Sequence, residues 1–166
     1  TLARTLGQEN MGLMLGAMGA KSAAELWRLT DRLRTYRLEL LAAMEQAGID
    51  ALLGPVMATP AFPHGASKNF TLASSYTIVF NATQMPAGVV PVTRVRAGET
   101  SRAASRDSVL RRAARVDAQS EGLPVGVQIA ARPWKDHVAL ALMAAVEAEV
   151  SGDEGFPTTP VPLDGA

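Results

Sequence analysis

Residues 22–57 read SAAELWRLTDRLRTYRLELLAAMEQAGIDALLGPVM, and the way their hydrophobic pattern changes along the stretch decides the fold class. Ser22 and Glu25 form an S-x-x-E capping box, in which the serine oxygen accepts from a free first-turn amide and the glutamate reaches back to the cap. Leu26, Leu29, Leu33, Tyr36, Leu40, Met44 and Ala47 then recur at spacings of three and four. That period predicts a helix from about Ser22 to Ala47 with these residues on one buried face. Arg28, Arg32, Glu39 and Glu45 fall mostly off it. Gly48 suits the C′ position, where a left-handed residue ends a helix. Ile49 to Met57 follows at once as a short strand.

Downstream, Thr59 to Asn69 is a loop carrying Pro60, Pro63 and Gly65. Leu72 to Ala82 is ambiguous, because its β-branched and aromatic residues suit a strand while its flanks suit a helix. Ala87 to Val95 reads as a second strand. Pro91 within it demands an edge, a bulge or an interrupted ladder, since proline has no amide to donate. Gly98 to Ser105 is a polar loop. Asp107 to Gln119 is a second helix, with Val109, Leu110, Ala113 and Val116 on one side and Arg111, Arg112 and Arg115 towards the other. Gly122-Leu123-Pro124 is a turn, Val125 to Ala131 a third strand, and Pro133-Trp134 breaks it. Asp136 is placed to cap a last helix to about Val150, with Leu140, Met143, Ala144 and Val150 inward. This order gives an α/β chain in layers, with about three strands and three main helices. The three strands make a small sheet with exposed edges. Residues 22–150 form the domain. Residues 151–166, with Gly152, Gly155, Pro157, Pro160, Pro162 and Gly165, read as a disordered tail. Residues 1–21 read as an apolar, Gly- and Met-rich leading segment. Within it, Met11 to Ala20 is roughly half the length of a membrane span. The chain opens at Thr1 in mid-pattern, as expected if a further part lies upstream.

The composition sets outer limits. The 166 residues suffice for one core, and 48% of them are hydrophobic, against the signature of disorder. Lysine plus arginine equals aspartate plus glutamate, at 16 each, so nothing in the charge balance argues for a nucleic-acid partner. The absence of cysteine removes disulfides, thiolate nucleophiles and thiolate metal ligands together.

A catalytic site needs a nucleophile, a base and an oxyanion device, or a metal. His64 sits in a Pro-rich loop and His137 in the first turn of a helix, with no metal spacing between them. Lys68 precedes the pair Ser74-Ser75 by six residues. Two serines and a lysine can make a hydrolytic set. The neighbours Ala73 and Tyr76, however, supply no Gly-rich turn for an oxyanion, and the serines read as packing or pocket-lining residues. G-x-S-x-G and Gly-rich phosphate loops are absent. The arginines from Arg94 to Arg115 are interleaved with Glu99, Asp107, Asp117 and Glu121, as on a solvated helix face. Trp27 falls in the first helix and reads as core. Trp134, between Pro133 and Lys135 at a strand end, reads equally as packing or as the wall of an apolar ligand site. These residues yield no catalytic group, cofactor site or metal ligand.

Three stretches, in order, carry a resemblance. Residues 22–57 resemble the long helix, strand and proline turn late in amidase signature enzymes. Residues 75–93, SYTIVFNATQMPAGVVPVT, contain an N-x-x-x-x-P-A-G-V-V-P-V core similar to the fatty acid amide hydrolase branch. Residues 122–134, GLPVGVQIAARPW, look like the family's G-L-P-x-G-x-Q segment followed by that branch's proline-tryptophan. The resemblance covers roughly residues 20–150. It implies the C-terminal part of a layered α/β/α mixed-sheet fold, in a parent that hydrolyses carboxylic amides with long acyl chains. The family's serine, serine and lysine lie in an N-terminal Gly/Ser-rich segment that nothing here matches, so no catalytic residue carries over and no cofactor is implied. What carries over is substrate lining: Thr71, Ser74 and Ile78 along one border of the acyl channel, and Trp134 at another. Ser74 departs from the usual aliphatic residue. Asn81 and Gln128 are expected to satisfy backbone groups.

Three functions follow. The first is a C-terminal portion of an amide hydrolase that supplies strands and acyl-pocket wall and needs the missing N-terminal half of its domain. Its small-molecule substrate is an amide with an acyl chain. The second is a stand-alone module that binds an acyl ligand or a partner. The third is a purely structural subdomain. Membrane association of the parent and a homodimer are left open.

Overall fold

A computed structural model describes residues 15–16, 18–69 and 71–158, without the side chains of 68, 69, 71 and 72. The leading segment thus lies mostly outside the described residues. The long helix α1 spans Ala23–Gln46, and both of its ends are built as local chemistry dictates. The Glu25 amide donates to Ser22 Oγ at 3.2 Å, and the Ser22 amide donates to Glu25 Oε2 at 2.9 Å. These bonds hold the Glu25 carboxyl below its ordinary pKa. At the other end Gly48 has φ +65°. Its amide donates to Glu45 at 3.1 Å, and that of Ile49 donates to Met44 at 2.8 Å. This pair of bonds is the Schellman motif, and it turns the chain into the sheet.

The sheet has three strands, β1 (Ala51–Pro55), β2 (Ala87–Arg94) and β3 (Pro124–Ala131), in the order β1-β3-β2. Both outer strands run antiparallel to β3. Pro91 falls where expected: β2 is an edge strand, and its register against β3 shifts between Pro91 and Thr93. The ambiguous stretch resolves as helix α2, Ser75–Thr83, entered through a 3-10 turn at Thr71–Ser74. Only a helical period brings Val79, Phe80 and Thr83 to the inner side together. Phe80 then packs with Leu40, Leu41 and Leu52 around buried Met44, Met85 and Ala130. With α3 (Ser108–Asp117) and α4 (Asp136–Val150), the described residues form four α-helices, one more than the three main helices expected.

Alternation along β3 separates the faces of the sheet. Ala130 turns towards α1 and α2. On the other face Gly88, paired with Ile129, lies so close to α4 that a Cβ there would sit 2.3 Å from Met143 Sδ. A second cluster joins Ala113 and Val116 of α3 to Ala73, with Met57, Phe62 and Val109 around it. Arg102 pairs with Asp117 through two hydrogen bonds and donates to the Ala58 carbonyl at 3.2 Å. It thereby ties the loop before α3 to the loop after β1.

Several predicted burials are corrected. On α1 only Met44 is buried, while Leu26, Leu29, Leu33 and Tyr36 stay exposed. The helix extends past the small sheet, and no described element covers its first half. Trp27 is exposed rather than core. Leu110 faces outward on α3. On α4 the inner face is Ala139, Met143, Val146 and Val150, with Leu140 and Ala144 turned out, because Met143 docks on Gly88 and fixes the helix rotation. Asp136 is the first residue of α4 rather than its cap, a place taken by Lys135 without a side-chain bond. Of the residues expected to form a tail, 151–158 continue in turns, and Pro157 is buried. The others lie outside the described residues.

Candidate functional site

Two clefts open at opposite ends of β3. The first, of about 360 Å³, lies past its C-terminal end between α1 and the chain that follows α2. Arg37, Gln84, Met85, Pro86, Pro133 and Trp134 line it. The Lys135 amide donates to the Arg132 carbonyl at 3.0 Å, closing a tight turn with Pro133 and Trp134 at its centre. Trp134 has φ +67°, a backbone state that a turn of this kind normally gives to glycine. Its side chain is 91% exposed. A large apolar ring is therefore held in solvent on a strained backbone, and such strain clusters at functional sites. Gln84, the C-cap of α2, also has a left-handed backbone, at φ +57°. Its side-chain carbonyl accepts from Arg37. The two non-glycine residues with positive φ among those described thus border one cleft.

The second cleft, of about 390 Å³, lies at the other end, between the loop after β1 and the start of β3. Its wall is mainly apolar, with Pro55, Met57, Val89 and Val125, and it includes Thr59. Thr59 is 8% exposed and its Oγ1 has no hydrogen-bond partner among the described residues. Gln128 is 4% exposed and its Nε2 likewise has none. The expectation that Gln128 satisfies a backbone group is thus not met through that nitrogen. Asn81 is exposed, so it is not the buried amide expected. Its backbone carbonyl accepts from the Gln84 amide at 3.2 Å.

Of the residues read as substrate lining, Trp134 borders the first cleft. Ile78 is on α2, half exposed to solvent, six residues before Gln84. Ser74 is the N-cap residue of α2, and its backbone carbonyl accepts from Thr77 Oγ1 at 2.8 Å. Neither Ser74 nor Ile78 lines either cleft. The side chain of Thr71, like that of Lys68, lies outside the described residues. Ser75 is exposed at the start of α2, as are His64 and His137 in their own segments. Among the described residues no group of three or more His, Cys, Asp or Glu could hold a metal ion, and no helix is long and apolar enough to cross a membrane. Sequence reading missed Arg37 and Gln84, because a positive φ at glutamine leaves no compositional trace. The one available signal was the Gln-Met-Pro run after the helix.

Comparison with known proteins gives concordant results. A family model described as Amidase matches residues 3–140. Fatty-acid amide hydrolase 1 of Sus scrofa is 35% identical over 141 residues, which are 80% of this chain and 24% of that protein. Fatty acid amide hydrolase 1 of Caenorhabditis elegans is 27% identical over 146 residues, 86% of this chain and 25% of that protein. The chain therefore spans about a quarter of the length of the curated relatives it matches. A solved structure of a fatty acid amide hydrolase superposes with a TM-score of 0.65 at 20% identity, over 80% of this chain and 24% of that one, a likeness of fold.

Proposed function

The chain belongs to the amidase family, and from that premise we propose that it is the C-terminal portion of a serine amide hydrolase acting on fatty acid amides or related carboxylic amides. It contributes sheet strands and part of the acyl-pocket wall, and the rest of the amidase domain contributes the nucleophile and its activating residues. The observation that carries this reading is Trp134, an indole 91% exposed on a positive-φ turn beside a cleft. An apolar ring is held in water at a cost in backbone strain when something else is to be laid against it. Ile78 and Thr71 extend the acyl-facing surface along and just before α2, and Ser74 makes that stretch less apolar. The uncovered apolar residues of α1, Leu26, Leu29 and Leu33, are read as the seat of the missing part of the domain.

The test is hydrolysis of oleamide by the longer protein that carries these residues, with the 166-residue chain assayed beside it. Turnover is expected in the former and none in the latter. Trp134→Ala in the longer protein should raise KM for oleamide more than for acetamide. Equal effects on both substrates would remove Trp134 from the acyl wall. A cooperative melt of the isolated chain, with a fluorescent fatty acid quenching Trp134, would instead favour a stand-alone binding module.

A further inference from the structure

The cleft at the start of β3 is absorbed by nothing above, and it combines three features. Gln128 is paired across the sheet with Gly54 of β1 and Val89 of β2, and paired residues of antiparallel strands share a face. Gly126 lies two residues earlier on the same strand and so on that face too. Val89 and Gly126 both line the cleft, which places the Gln128 amide at its floor. The floor is bare because two of its positions are glycine. A Cβ at Gly54 would meet nothing within 4 Å, whereas one at Gly126 would meet Val89 Cγ1 at 2.9 Å. Thr59 reaches the same cleft from a loop that is held at both of its neighbouring backbone groups. The Ala58 amide donates to Ala73 at 2.9 Å, and the Ala58 carbonyl accepts from Arg102 at 3.2 Å.

A buried polar group without a partner costs about 1–3 kcal/mol. Here one amide donor and one hydroxyl stand at a single apolar recess, each more than nine-tenths buried. The chemistry that satisfies both is an oxygen acceptor carried on an apolar body. We propose that Gln128 Nε2 and Thr59 Oγ1 form a polar anchor for the carbonyl oxygen of an acyl amide, with Met57, Val89 and Val125 against its hydrocarbon. The anchor holds the amide equally before and during reaction, so its residues are binding rather than catalytic. This inference rests on the acyl-amide reading above.

The experiment uses the longer protein and reads three quantities in Gln128→Leu, Thr59→Val and Gly54→Val: KM and kcat for oleamide, inhibition by cis-9-octadecene, and the melting temperature without ligand. Each variant should raise KM about tenfold with kcat within about twofold, the signature of lost uniform binding. Inhibition by the hydrocarbon, which has no carbonyl, should stay the same in Gln128→Leu and Thr59→Val. Melting should be unchanged or higher in those two, because an unpaired polar group is replaced by an apolar one of similar shape. Gly54→Val fills open space and should weaken both ligands without lowering the melting temperature. An unchanged KM in Gln128→Leu and Thr59→Val overturns the anchor alone. So does a fall of several degrees in their melting temperature, which would mark both groups as structural. If the unmodified protein neither hydrolyses nor binds oleamide, the functional reading falls and the anchor falls with it.

Discussion

The two halves of α1 have similar sequences and opposite surroundings. From Ser22 to Tyr36 the helix carries a complete capping box and an apolar stripe, yet Leu26, Leu29, Leu33 and Tyr36 remain exposed. From Leu40 to Ile49 the same stripe continues. Met44 is 3% exposed there, against Met85, Ala130 and Phe80. The first half is thus held by local hydrogen bonds and the second by packing. A regular apolar period reports a face that can be buried, and whether it is buried depends on what lies opposite.

Core substitution should separate the halves most. Met44→Ala removes a buried side chain from a filled cluster and is expected to lower stability by about 2–5 kcal/mol, measured by denaturant unfolding. Leu33→Ala should cost less than about 0.5 kcal/mol in the isolated chain. In the longer protein it should cost about 2–3 kcal/mol if that face is covered there. Equal, small effects in both settings would show that the first half of α1 stays uncovered and would break the proposal that the rest of the domain seats on it. At the C-terminal junction, Gly48→Ala places a side chain at φ +65° and should cost about 1 kcal/mol. Ser22→Ala should cost a comparable ~1 kcal/mol, read as fraying of the first turn by amide exchange. The smallest effect is that of pH. Glu25 has a folded pKa below its unfolded one, so its stabilisation is present above the ordinary carboxylate range. It is lost as pH falls through the depressed value. First-turn protection should decline on acidification in the parent chain and not in Glu25→Gln.

The same contrast explains which parts of the molecule were legible. The ends of α1, the Asp107 cap of α3 with its bonds to the Val109 and Leu110 amides, and the disturbed register at Pro91 all depend on residues within a few positions. They could be read directly. The rotation of α4 could not, because Met143 and Leu140 are both apolar and only the bare surface of Gly88 decides which one docks. At the clefts, Trp134 was legible as an apolar ring at a strand end. Its positive φ and its company with Arg37 and Gln84 were not, since α1 and the end of α2 are 47 residues apart along the chain. Gln128 was singled out as a structural amide, and only its surroundings in the sheet, two glycines and an apolar wall, left its nitrogen without a partner.

By itself, then, the sequence determined where the helices and strands start and stop, the α/β class, the edge character of β2 and the three motifs of the amidase family. Each of these rests on short-range backbone chemistry or on residue order. Only the tertiary structure decided which apolar faces find a partner, which helix side meets the sheet, and that Thr59 and Gln128, 69 residues apart, stand near one recess. Burial and the pairing of polar groups are properties of what lies across space, and no local pattern encodes them.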